Sequence, residues 1–136
     1  MEFKKNILVV DDDPDVVAII KGILHSGEYE IQSVCRGREV FARLEEKRPD
    51  LIILDIKMPE MDGFQVLKRL KASPETSSIP VILLTGKGQY QDVLTGYELG
   101  TDYYMNKPFT GSQLINGIDL FLGAGNAHKA VNESVS

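Results

Sequence analysis

Two aliphatic runs each hand straight over to aspartate: Ile7–Val10 is followed by Asp11, Asp12 and Asp13, and Leu51–Leu54 by Asp55. Four consecutive apolar residues suit a strand covered on both faces, as in a parallel sheet, and such a strand leaves the core at its carboxyl end. If the two strands are neighbours, four carboxylates crowd one sheet edge. Each like-charged pair ~4 Å apart would cost roughly 4 kcal/mol at an effective dielectric of ~20. The pattern therefore predicts something cationic at that edge.

The remaining segments read as strands and helices in strict alternation. Asp13 and Pro14 form an N-cap and a first helical residue, opening a helix to about Ser26 with Val16, Ile19, Ile20, Ile23 and Leu24 on its inner stripe and Gly27 as its stop. Tyr29–Val34 is a short strand, Arg36–Arg38 a turn, and Val40, Phe41 and Leu44 mark a helix ending by Pro49. After Leu51–Leu54 comes an acidic loop, then a helix from Gly63 to about Ala72 with Phe64, Leu67 and Leu70 inward. Ser73–Ser78 is a polar loop, Val81–Leu84 another fully apolar strand ending in Thr85 and Gly86, and Tyr90–Leu99 a helix burdened by Gly96. Asp102–Met105 is a last short strand before Asn106, Lys107, Pro108 and Phe109. Thr110 and Gln113 form a capping box for a final helix, with Leu114, Ile115, Ile118, Phe121 and Leu122 inward. Five strand-helix units in this order imply a parallel sheet with helices on both faces, whose site lies at the strands' carboxyl ends.

Composition narrows the function. A chain of 136 residues fits one domain, expected over residues 1–122, with 123–136 a tail or truncated linker. A net charge of -5 argues against a nucleic-acid surface in this domain, and the apolar runs are too short to span a membrane. The start lacks a signal peptide's apolar core, so the cytoplasm is the expected location. Cys35 is the only cysteine and is expected to be packed in the interior; with His25 and His128 it makes no zinc pattern.

At the strand ends the chain collects Asp11 and Asp12, Asp55, Thr85 and Lys107. Carboxylates without histidine or thiolate suit a hard divalent ion such as Mg²⁺, which keeps coordination positions for waters and a phosphate. A hydroxyl and an ammonium group could then help neutralise a phosphoryl group, and a carboxylate is a competent phosphoryl nucleophile. Singly these residues have ordinary explanations, Asp13 as a cap and Thr85 as a strand-end residue. Their joint order and spacing do not.

The segments ILVVDDD (Ile7–Asp13), LIILDIKMPEMDG (Leu51–Gly63), PVILLTG (Pro80–Gly86) and YYMNKPF (Tyr103–Phe109) resemble the receiver domain of two-component response regulators. The resemblance spans about residues 5 to 122. It implies a doubly wound, flavodoxin-like α/β fold of five parallel strands in the order 2-1-3-4-5 with five helices, an order for which a chemotaxis regulator of this family is itself a standard illustration. It implies that Asp55 is the phosphoacceptor, taking phosphate from a histidine kinase or histidine phosphotransfer protein. Asp11 and Asp12 match the acidic pair holding Mg²⁺, Asp12 more directly, with Asp55 and the backbone carbonyl of Lys57 as further ligands. Thr85 matches the switch hydroxyl, Lys107 the lysine that pairs with the phosphoryl group, and Tyr104 the aromatic switch. The Lys107–Pro108 bond is often cis in the family. The signalling face would be the fourth helix, fifth strand and fifth helix, serving an output domain, an effector protein or a homodimer formed on phosphorylation. Gly86, where alanine or serine is frequent, departs from the common pattern. Lys57 and Lys87 occupy variable flanking positions, and Lys57 is expected to prolong the phosphorylated state.

Two other readings compete for the same residues. A metal-dependent phosphohydrolase of the aspartyl-nucleophile type usually carries a second acid two residues after the nucleophile, where this chain has Lys57. A flavodoxin-like cofactor binder would need a hydroxyl-rich phosphate loop after the first strand, where Asp11, Asp12 and Asp13 would repel phosphate.

Overall fold

The computed structural model describes residues 4–25, 28–86 and 89–123. Ten elements alternate along the chain: β1 (Lys5–Val10), α1 (Pro14–Ile23), β2 (Tyr29–Val34), α2 (Glu39–Glu46), β3 (Leu51–Asp55), α3 (Gly63–Ala72), β4 (Val81–Gly86), α4 (Tyr90–Glu98), β5 (Tyr103–Lys107) and α5 (Gly111–Leu122). The strands form one parallel sheet in the order β2-β1-β3-β4-β5, as the sequence led us to expect.

Side chains alternate across each strand, so the sheet divides two cores. Leu8, Val10, Ile52, Leu54, Val81 and Leu83 point into one, with Val66, Leu67 and Leu70 of α3. Ile7, Val9, Leu51, Ile53, Ile82 and Leu84 point into the other, with Ile20 of α1 and Leu114 and Ile118 of α5. Burial on both faces explains why β1, β3 and β4 are aliphatic without polar alternation.

The helix ends follow local chemistry. Asp13 caps α1 by accepting from the Asp15 N–H, and Thr110 and Gln113 make the expected capping box on α5. A second box, Asp62 with Gln65, opens α3 at the end of the acidic loop. α1 closes earlier than expected, at the Leu24 cap, whose N–H bonds to Ile20; Ser26 and the expected stop Gly27 lie outside the described residues. Most of the expected tail lies outside them too.

Three expectations about packing are corrected. The apolar spacing places Ile19 and Ile115 on inner stripes, but they are 52% and 42% exposed. At 100° per residue each falls on the shoulder of its helix, and Val17 and Gly117 take the inward places instead. Cys35 is exposed rather than packed, because it follows the last residue of the edge strand β2, with Sγ 3.8 Å from Glu39 Oε1.

Gly96, the residue that weakens α4 on propensity, is buried, and a Cβ there would come within 2.5 Å of Leu83 Cδ1. The glycine sacrifices helix propensity so that α4 can lie close on β4.

Candidate functional site

The carboxyl edge of the sheet assembles Asp11, Asp12, Asp55 and Lys107. Asp11 directly follows β1; its N–H donates to Val34 O at 3.2 Å and its Oδ1 accepts from the Asp13 N–H at 2.9 Å. These two bonds fix the β1–α1 turn and hold Asp11 buried while Asp12 is exposed. Asp55 is the last residue of β3, the central strand, and is buried. Asp11, Asp12 and Asp55 each bring one carboxylate oxygen within 4.8 Å of the others. Asp13 is spent on its cap, so three carboxylates meet here and not four.

Lys107, the last residue of β5, sends its side chain across β4. Nζ lies 2.9 Å from Asp11 Oδ2 and 3.1 Å from Asp55 Oδ1. The cation demanded by the clustered acids is therefore partly supplied by the chain itself. One ammonium group facing three carboxylates leaves an excess of negative charge. Burial and the Asp11 carboxylate push the Asp55 carboxyl up to about 6, against the opposing pull of Lys107. Burial draws the Lys107 ammonium down, but the facing carboxylates of Asp11 and Asp55 more than offset it, and its pKa lies above the usual lysine value.

The β3–α3 loop owes its shape to close backbone contacts. The Gly63 N–H donates to Ile56 O at 2.7 Å, and a Cβ at 63 would stand 2.3 Å from Asp55 O, so only glycine lets the loop fold back on β3. Glu60 adopts a left-handed backbone at φ 69°, an unfavourable geometry for a residue with a side chain. Its carboxylate lies 3.9 Å from Arg36 and 3.8 Å from Arg38, and Gly37 between them packs so tightly that a Cβ would approach Met61 O to 2.6 Å. In the sequence Arg36–Arg38 reads only as a turn; the signal for its role is the pairing of two arginines with an acid in the loop after Asp55.

Other expected site residues stand further back. Thr85 of β4 is buried, and its hydroxyl donates to Asn106 Oδ1 at 2.9 Å, with Met105 O at 3.5 Å. Asn106 is the β5 register partner of Thr85 and was not singled out in the sequence. Tyr104 is partly buried and packs edge-on to Tyr97 of α4, with ring centroids 5.8 Å apart. Lys57 is exposed beside the loop, and Lys87 lies outside the described residues. The Lys107–Pro108 bond is cis.

The donor set fits a hard divalent cation. All three carboxylates offer oxygen, and the buried Asp11 Oδ2 is paired with the Lys107 ammonium at 2.9 Å, so the edge already favours positive charge.

Comparison with known proteins follows the same lines. The chain is 38% identical over 109 residues to the DNA-binding dual master transcriptional regulator RpaA of Synechocystis, an alignment covering 80% of this chain and 45% of RpaA. The chain thus spans about half the length of such relatives. The signal receiver domain of a histidine kinase from Syntrophus aciditrophicus superposes with a TM-score of 0.81 at 37% identity, covering 90% of this chain and 93% of that one. The receiver domain of a sensor histidine kinase from Pseudomonas aeruginosa, solved with a magnesium ion coordinated in its active-site cleft, superposes with a TM-score of 0.80 at 26% identity, covering 89% and 99%. The family model of the response regulator receiver domain matches residues 7–119, and with the sheet order and acidic edge described above, the chain belongs to that family.

Proposed function

We propose that this receiver acts as a phosphorylatable switch in which Asp55 accepts phosphate from the phosphohistidine of a sensor histidine kinase or a histidine phosphotransfer protein. The observation that carries the reading is the meeting of Asp11, Asp12, Asp55 and Lys107 at one sheet edge. Lys107 engages Asp55 Oδ1, leaving the other carboxylate oxygen to attack phosphorus. A P–O bond forms as the P–N bond breaks, and the imidazole leaves. Water later cleaves the acyl phosphate, releasing inorganic phosphate and restoring the carboxylate. On this reading the chain catalyses only its own phosphorylation and dephosphorylation and turns over no independent substrate.

Asp11, Asp12 and Asp55, with the backbone carbonyl of Lys57, would hold Mg²⁺. When bound, the ion would supply positive charge to neutralise the incoming phosphoryl oxygens. Lys107 would add a second cation, and Thr85 a hydroxyl donor once it turns from Asn106. Tyr104, resting against Tyr97, would carry the change to the α4–β5–α5 face. That face suits a partner, since Tyr90, Leu94 and Tyr97 of α4 are 81%, 59% and 46% exposed. The downstream partner on this reading is an output domain or effector protein, or a second copy after phosphorylation, with the cytoplasm as the compartment. Residues 1–122 would make up the switch and 123–136 a tail or linker.

The test is intact mass after incubation with acetyl phosphate and Mg²⁺. The parent is expected to gain one phosphoryl group and Asp55→Asn none. Equal modification of both, or repeated turnover of a phosphomonoester by the parent, would overturn the reading.

A further inference from the structure

The Thr85 hydroxyl has one proton to donate, and in this structure the acceptor is the side chain of Asn106. Thr85 is 1% exposed, so bulk water does not compete freely for that proton, and its second partner, Met105 O, is more distant at 3.5 Å. Asn106 sits opposite Thr85 in the parallel β4–β5 register, and it immediately precedes Lys107. The hydroxyl cannot donate to Asn106 Oδ1 and to a phosphoryl oxygen at once.

We propose that Asn106 is a positioning residue that holds the Thr85 hydroxyl in its resting orientation and so sets how readily the phosphorylated state is reached. The inference rests on the reading of Thr85 as the hydroxyl that meets the phosphoryl group. Asn106 itself touches none of the reacting atoms; it acts through Thr85. Its removal lowers the cost of turning the hydroxyl towards the ligand, so phosphoryl-like anions bind more tightly to the variant.

The experiment is calorimetric titration of the full chain with beryllofluoride at saturating Mg²⁺. Asn106→Ala and Asn106→Leu remove the acceptor, the second at nearly constant size, and Asn106 is exposed, so neither threatens the core. Both are expected to tighten beryllofluoride binding by about two- to ten-fold, the range set by one neutral hydrogen bond. Asn106→Asp keeps an acceptor in place, and its affinity is expected to stay at or below the parent's. In the Thr85→Ala background, which removes the proton in question, the Asn106 substitutions should have no effect. A purely structural role for Asn106 would not show that dependence on Thr85.

Unchanged or weakened affinity in Asn106→Ala and Asn106→Leu, or equal tightening with and without Thr85, would sink the latch. If Thr85→Ala still weakens binding and Asp55→Asn still abolishes it, the functional reading survives that failure. Undiminished binding in Asp55→Asn removes the basis of both, and undiminished binding in Thr85→Ala removes that of the Asn106 proposal alone.

Discussion

The charge on Asp55 is costly at rest. Its carboxyl is pushed from 3.8 up to about 6, first by burial and then by Asp11, so between those values the folded chain holds a proton that the unfolded chain has released. The contribution of this group to stability is therefore present in full below pH ~4 and lost as pH rises through about 6. Asp55→Asn removes the buried charge and is expected to stabilise the metal-free protein at pH 7 by roughly 2–3 kcal/mol. Thermal unfolding in EDTA should show that gain fading towards pH ~4, and a gain that persists there would contradict the sign. Lys57, exposed two residues after Asp55, belongs to the same scale. With Asp55 as the phosphoacceptor, as proposed, the Lys57 ammonium would screen the phosphoryl group from attacking water, so phosphate release from Lys57→Ala and Lys57→Asn is expected to be faster than from the parent. Equal rates in a radiolabel chase would dismiss the idea.

At the scale of elements, glycines determine how closely helices and loops approach the sheet. Gly96→Ala would gain ~1 kcal/mol of helix propensity on an open helix. Here the new methyl would meet the buried Leu83 at 2.5 Å, and overpacking of that kind costs about 1–3 kcal/mol. The net expectation is a lower denaturation midpoint with an unchanged slope in urea. Gly63→Ala is worse placed, because the methyl would stand 2.3 Å from the Asp55 carbonyl, backbone that cannot yield as a side chain can. That variant is expected to lose both stability and beryllofluoride binding. The two arginines on Glu60 are exposed pairs near 4 Å, each worth ~0–1 kcal/mol, so the fit of Gly37 under Met61 does more than they do to hold the loop.

Across the whole molecule the two edges of the sheet do different work. At the carboxyl edge, like charges are held together at a cost to stability. At the amino edge, carboxylates satisfy backbone donors: Asp50 accepts from the Asn6 N–H at 2.7 Å, and Asp102 accepts from the Val81 N–H at 2.9 Å and from Lys71 Nζ at 3.1 Å. Asp102→Ala is therefore expected to destabilise the fold by ~1–3 kcal/mol while leaving beryllofluoride affinity as it was. Urea unfolding and calorimetry on the same sample would separate the two, and a parallel loss of affinity would mean the edges are not independent. Mg²⁺ should act oppositely, raising the unfolding temperature of the parent but far less that of Asp12→Asn. The order of strands, the aspartates at their ends and the caps at Asp13 and Thr110 were legible from aliphatic runs and short-range chemistry, because each depends on residues close together in the chain. Ile19, Ile115 and Cys35 were misplaced because a one-dimensional stripe does not say which shoulder of a helix, or which side of an edge strand, another element covers. Sequence by itself determined the alternation of elements and the residue types at the acidic edge, since periodicity and capping are local. Only the tertiary structure decided that Lys107 bridges Asp11 and Asp55, that Gly96 must lack a side chain, and that Thr85 rests on Asn106, because each of these is a distance between atoms on strands or helices that meet only in the folded chain.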